Sequence, residues 1–250
     1  MLISYKKKQL KSIKNNIQKQ VSLSGNEIHV WQIDIESQIQ NLKSFWPYLS
    51  NIEQSRANNF RFEIHKNKYI IRTGILRILL SNYMTCQPNE IEFKIGESGK
   101  PKLTNSNLAF NLSHSKNKAI IAFAINLQLG VDIEYIDEKI EAKQIATHFF
   151  STKEIEQLYA LNDVNVVDGF FNIWTKKEAF IKAIGTGLTY PLDSFDVNLD
   201  VIEKNALTHV GTSFAKAKKW NLFSIKTFKN YKAALAYKGK AKEVQYFNYS

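Results

Sequence analysis

"FFNIWTKKEAFIKAIGTGL" (residues 170–188) reads as a helix with one residue that fits badly. At about 100° per residue, Val167, Phe170, Phe171, Trp174 and Ile181 share one apolar stripe. Glu178 falls inside that stripe, one turn after Trp174, with Lys177 and Lys182 flanking it. An unpaired carboxylate in an apolar interior costs on the order of several kcal/mol. Glu178 must therefore be neutral, paired or bound to a cation. Lys182, at i+4, offers an ion pair; a metal offers the other solution. Gly185-Thr186-Gly187 ends the helix.

A second acidic feature lies upstream. In "GVDIEYI" (130–136), Val131, Ile133 and Tyr135 take one face of a strand and Asp132 and Glu134 the other. Same-face neighbours on a strand lie roughly 7 Å apart. Two carboxylates that close repel unless water screens them or a cation bridges them. A hard cation such as Mg²⁺ takes oxygen ligands and keeps waters and substrate phosphates in its shell. A wet acidic face and a cation site both fit this stretch alone. "FNLSHS" (110–115) ends a strand in Ser113-His114-Ser115. Adjacent residues on an extended chain point to opposite faces, so Ser113 and His114 are poorly placed as a nucleophile and its base. Small hydroxyls beside an imidazole suit phosphate oxygens better. "SGKPKL" (98–103) adds Lys100 at a turn, without the spacing of a P-loop.

The 250 residues, 44% apolar with 16 Phe, 11 Tyr and 4 Trp, can bury a sizeable core in one large or two small domains. The single cysteine, Cys86, excludes an intrachain disulfide and points to a reducing compartment. "MLISYKKKQLKSIKNNIQKQ" (1–20) lacks the apolar stretch of a signal peptide. "AIIAFAI" (119–125) is too short to span a bilayer. A soluble cytoplasmic protein is expected. The net charge of +11 is uneven: residues 1–26 hold six lysines and residues 204–242 ten, with no acid in either. Such a field favours polyanionic partners, although a lysine-rich surface also serves solubility.

Residues 1–26 form a basic N-terminal extension, helical or disordered. "EIHVWQIDI" (27–35) alternates as a strand. Residues 55–84 read as one helix with Phe60, Ile64, Ile71, Ile75, Leu76 and Leu79 as its core positions. A strand, a Gly-Glu-Ser-Gly turn and a Lys-Pro loop follow over 91–103, then strands at 108–115, 118–125 and 130–136. A helix covers about 140–148, and 149–161 opens with a capping-box pattern, Ser151…Glu154. After the quoted helix come strands near 194–199, 221–227 and 231–237. The expected class is α+β, with two similar halves, 27–127 and 128–250, meeting near residues 126–130.

In chain order, "GKP" (99–101), "FNLSHS" (110–115), "GVDIE" (130–134), "FFSTKE" (149–154) and "WTKKEAFIKAIGTGL" (174–188) resemble the Sfp-type 4′-phosphopantetheinyl transferases, monomers with two pseudo-symmetric halves. Each motif is weak alone; the ordered set is specific, over about residues 28–200. The resemblance implies that the two halves pack as a pseudo-dimer around a site between them, and that the chain transfers the phosphopantetheine arm of coenzyme A to a serine of an acidic apo carrier protein. Adenosine 3′,5′-bisphosphate is the other product. It implies Asp132, Glu134 and Glu178 as Mg²⁺ ligands, Glu178 also as general base, and Lys182 at the phosphates and the leaving group. It implies Lys100, Pro101, Ser113 and His114 as coenzyme A contacts. Of the basic residues Arg61, Lys66, Lys68 and Arg72, it favours Arg72 for the 3′-phosphate. Ile133 departs from relatives with an acid between the metal carboxylates, so water takes that place. The "WTKKEA" form leans towards the branch tied to secondary metabolism. The resemblance implies neither a nucleic-acid nor a membrane partner. A metal-dependent nuclease or phosphohydrolase is the alternative, since carboxylates, lysine and basic charge suit phosphodiesters too. A non-enzymatic nucleic-acid binder lacks zinc spacing or an aromatic RNA-binding motif, and leaves Glu178 unexplained.

Overall fold

The computed structural model describes residues 11–13, 21–96, 99–199, 206–211 and 213–250. Along the chain these form β1 (Lys11–Ile13), β2 (Glu27–Asp34), α1 (Leu42–Phe45), α2 (Asn51–Asn58), α3 (Glu63–Met84), β3 (Phe93–Ile95), β4 (Pro101–Leu103), β5 (Leu108–Ser115), β6 (Lys118–Ile125) and β7 (Leu129–Tyr135). Then follow α4 (Ala142–Phe149), α5 (Thr152–Tyr159), α6 (Asp163–Ile184), β8 (Phe195–Val197), β9 (Leu207–Val210), α7 (Phe214–Ala217), β10 (Trp220–Ser224), β11 (Tyr231–Lys238) and β12 (Glu243–Tyr249). The class is α+β.

One unit of topology occurs twice. A strand leads to a 22-residue helix and then to a hairpin: β2, α3 and β5-β6, then β7, α6 and β10-β11. In both, the opening strand pairs antiparallel with the second strand of the hairpin. The sheets run β1-β12-β2-β6-β5 and β10-β11-β7. Strand parity sorts the side chains. Ala119, Ile121 and Phe123 of β6 face a core with Ile71, Ile75 and Leu79 of α3. Ile120, Ala122 and Ala124 face the other sheet, where they meet Val131, Ile133 and Leu235. Phe170, Ile173, Phe180 and Ile181 of α6 form a further core with Leu222, Ala234 and Ala236. The layers are thus helix, sheet, sheet, helix. Each fully buried Ile or Phe contributes about 1.5–3 kcal/mol to holding them together.

Several elements differ from expectation. The helix read over 55–84 is two helices, because the chain leaves the helix after Asn58 and Phe62 is extended at the start of α3. Asn58 and Asn59 favour such a break, since their side chains compete for backbone hydrogen bonds. Ile64 then falls in the first turn of α3 and is 59% exposed rather than in the core. Within the N-terminal segment expected to be helical or disordered, Lys11–Ile13 is a strand parallel to β12. The remainder of 1–20, and Glu97 and Ser98 of the expected turn, lie outside the described residues. The Lys-Pro stretch expected as a loop is strand β4, paired antiparallel with β3, and β9 and β12 were not anticipated. β12 follows the second unit in the chain but pairs parallel to β2 in the first sheet, beside Trp31 and Phe247, which stack at 4.7 Å. Among the described residues no helix is long and apolar enough to cross a membrane.

Candidate active site

The site forms where two sheet edges adjoin, because β5 ends one sheet and β7 the other. Alternate side chains of β5 reach across. Asn111 Oδ1 accepts from Val131 N–H at 2.8 Å, Ser113 Oγ donates to Asp132 Oδ1 at 2.8 Å, and Ser115 Oγ donates to Glu134 Oε2 at 2.7 Å. His114, of opposite parity, is exposed.

Helix α6 crosses β7 at Gly130. A Cβ there would lie 2.2 Å from the Ala179 carbonyl oxygen and 2.3 Å from the Ala183 nitrogen, so only glycine allows the helix this close. That approach brings Glu178 and Lys182 to Asp132. Lys182 Nζ donates to Asp132 Oδ1 at 2.5 Å and to Ser113 Oγ at 2.9 Å. Asp132 is only 1% exposed, and its Oδ2 is buried with no hydrogen-bond partner. Burial, then the charges of Asp132 and Glu134, push Glu178 up to about 7 against the pull of Lys182. Burial, then Asp132, also raise Glu134, opposed by the Ser115 hydrogen bond and Lys182. Burial alone would lower Lys182, but Asp132, Glu178 and Glu134 outweigh it and hold the ammonium above its usual value.

The quoted helix is enclosed more fully than its wheel suggests. Glu178 is half-buried at the edge of the site, whereas Lys176 and Lys177 are wholly buried and Val167 and Trp174 only partly so. The reason is that α6 has the second sheet on one side and α4, α5 and β8 on others. Lys177 does not flank the stripe. It pairs with Glu154 at 2.7 Å and donates to the Leu192 and Phe195 carbonyls. Glu154 closes the capping box with Ser151 and accepts from Val197 N–H. Trp174 packs on Phe170 and Phe149.

A cluster of cationic side chains adjoins the carboxylates. His114 opens to solvent on one side, but protein atoms crowd its ring; that partial loss of water, then the charges of Arg72, Lys182 and Lys68, lower it to about 4. A neutral imidazole that feels the charge of three cations suits an anion. Arg72 and Lys68 lie one turn apart on α3, and Arg72 sits 5.2 Å from the centre of the Tyr69 ring. Arg61 lies over Phe62 instead, and Lys66 pairs with Glu63 at 3.8 Å. Lys100, expected at the phosphates, donates to the Leu129 and Lys182 carbonyls at 2.7 and 2.6 Å. Carbonyls at a helix C-terminus carry partial negative charge and attract such a cation. Burial, then Lys102, lower Lys100 to about 8. Pro101 begins β4, opposite Ile95. Ser113, also expected at the phosphates, is buried between Asp132 and Lys182.

As the side chains lie, no group of three His, Cys, Asp or Glu among the described residues could hold a metal ion. The chemistry of the set nevertheless fits a hard divalent cation. Asp132 acts on both Glu134 and Glu178, Glu134 acts on Glu178, Asp132 keeps a buried oxygen without a partner, and every candidate donor is oxygen. Sequence reasoning missed Asn111, Gly130 and the Glu154–Lys177 pair, and set the Ser115 hydroxyl at phosphate rather than at Glu134. The glycine in a strand pattern was a readable signal of close backbone approach. The others depend on partners distant in the chain.

Comparison with known proteins agrees with this geometry. The family model of the 4′-phosphopantetheinyl transferase superfamily matches residues 128–236, and that of a 4′-phosphopantetheinyl transferase N-terminal region matches 35–126. The chain is 32% identical to the 4′-phosphopantetheinyl transferase HetI of Nostoc over 233 residues, 92% of this chain and 95% of that one. It is 32% identical to Sfp of Bacillus subtilis over 164 residues, 65% of this chain and 71% of that one. It is 33% identical to gsp of Aneurinibacillus migulanus over 190 residues, 74% and 76% of the two chains. These relatives favour the transferase over a nuclease. With its repeated strand–helix–hairpin unit and its carboxylates gathered beside basic side chains, this chain belongs to the Sfp-type 4′-phosphopantetheinyl transferases.

Proposed function

We propose that the enzyme moves the 4′-phosphopantetheine arm of coenzyme A onto a serine of an acidic apo carrier protein, with Mg²⁺. The arrangement of Asp132, Glu134, Glu178 and Lys182 beside the His114–Arg72–Lys68 cluster supports this reading. Arg72, Lys68 and His114 receive the nucleotide phosphates. Asp132, Glu134 and Glu178 would hold the cation, which when bound offsets negative charge on the pyrophosphate. Glu178 accepts the proton of the carrier serine, directly or through water. The serine oxygen bonds to the β-phosphorus as its bond to the bridging oxygen breaks. That oxygen leaves on adenosine 3′,5′-bisphosphate, and Lys182 stabilises the charge and supplies a proton. The enzyme works in the cytoplasm as a monomer, with its active site between halves 27–127 and 128–250, and its basic surface attracts the acidic carrier. Mass spectrometry of apo acyl and peptidyl carriers after incubation with enzyme, coenzyme A and Mg²⁺ tests this. A phosphopantetheine adduct is expected; no adduct on any of several carriers would overturn the reading.

A further inference from the structure

β5 and β7 are edges of different sheets, yet β7 has N–H groups that bond to side chains of β5. Val131 N–H donates to Asn111 Oδ1 at 2.8 Å, and Tyr135 N–H to Ser115 Oγ at 3.1 Å. These two bonds bracket the acidic residues and fix their strand against β5. Ser115 does more than join strands. Its oxygen accepts from Tyr135 N–H, so its own proton is directed elsewhere, to Glu134 Oε2 at 2.7 Å. Ser113 repeats the pattern one pleat away, accepting from Lys182 and donating to Asp132 Oδ1. Each carboxylate thus has one oxygen held by a β5 serine, and Asp132 Oδ2 is left without a partner. Glu134 needs such a hold more than Asp132 does. Its side chain is longer and half-buried, and Asp132, two residues away, repels its charge.

We infer that Ser115 is a positioning residue that keeps the Glu134 carboxylate beside Asp132, ready to bind a divalent cation, while Asn111 sets the register of the strand that carries both. The inference rests on reading Asp132, Glu134 and Glu178 as ligands of that cation. Groups that orient metal ligands from behind typically contribute 10–100-fold to metal affinity.

The test measures Mn²⁺ binding by electron paramagnetic resonance and Mg²⁺ binding by calorimetry, on wild type, Ser115→Ala and Ser115→Thr, without coenzyme A. Ser115→Ala should bind the cation about 10-fold more weakly. Its transfer rate should recover within about twofold at saturating Mg²⁺, since this residue touches no reacting atom. Ser115→Thr keeps the hydroxyl on a strand and should restore affinity. A Ser115→Ala protein that binds the cation as tightly as wild type overturns the inference while leaving the function intact. So does a weakened variant that Thr fails to restore. A wild type that binds no divalent cation overturns the metal reading, and this inference with it. If Ser115→Ala does not fold, Ser115→Cys, whose thiol is a weak donor, takes its place: weakened binding that Ser115→Thr restores supports the inference, and wild-type affinity in Ser115→Cys overturns it.

Discussion

Glu178 stands where two demands conflict. Burial and two neighbouring carboxylates disfavour its charge, which costs stability, while the proposed chemistry needs a base with a proton affinity near neutrality. Glu178→Gln should therefore lower transfer by about 10²–10⁴-fold. The melting temperature should stay equal or rise, because a repelled carboxylate has been removed. A carrier-modification assay beside a thermal melt reads both. His29 lies away from this site, 2% exposed on β2, and burial lowers it to about 4 despite Glu27 at 3.8 Å. Tyr83 OH accepts from Trp31 Nε1, so its own proton is free for His29 Nδ1 at 2.8 Å. Between about pH 6.5 and 4 the unfolded chain binds a proton that the folded chain refuses. Stability should fall as pH drops through that window, by at most about 3 kcal/mol, and level off below it. Urea titrations across the window should show this slope in wild type and lose most of it in His29→Gln. The acidic residues of the site were legible because carboxylates one pleat or one turn from apolar neighbours stand out. That Lys177 is buried and Glu178 only half so was not, since a helical wheel assumes a single buried face.

At the scale of elements, α6 is held from both sides. Gly130 lets it touch β7, and the wholly buried Glu154–Lys177 pair ties it to α5 and to the segment from Leu192 to Val197. Removing one partner of such a pair leaves a buried charge uncompensated. Lys177→Met should cost about 3–5 kcal/mol. Glu154→Gln with Lys177→Met should cost clearly less than the sum of the single changes. Denaturant melts of the four proteins complete the cycle, and additive costs would contradict the pairing. The Ser151…Glu154 cap was readable from spacing because both partners are local. Its link to Lys177, 23 positions along, was not. The break between α2 and α3 was missed although the Asn58-Asn59 pair was visible, because apolar periodicity continued across it.

At the scale of the whole molecule, β12 links the C-terminal end of the chain to the first sheet. Deleting residues 243–250 would leave β2 without a neighbour on that side and strip Phe247 from Trp31. The truncated chain should lose cooperative unfolding and aggregate through the opened edge, which light scattering and a thermal melt would detect. Native behaviour would show that the strand is dispensable. The α+β class, the strand–helix–hairpin rhythm, the capped start of α5, the glycine end of α6 and the acidic and basic residues were determined by the sequence alone, because they follow from periodicity, caps and charge within short windows. Tertiary structure alone decided three things: that β12 crosses into the first sheet, that α6 is enclosed on several sides, and that β5 serines hold the carboxylates of β7. Each depends on residues distant in the chain meeting in space, and local physical chemistry carries no record of which distant strand edge a residue will face.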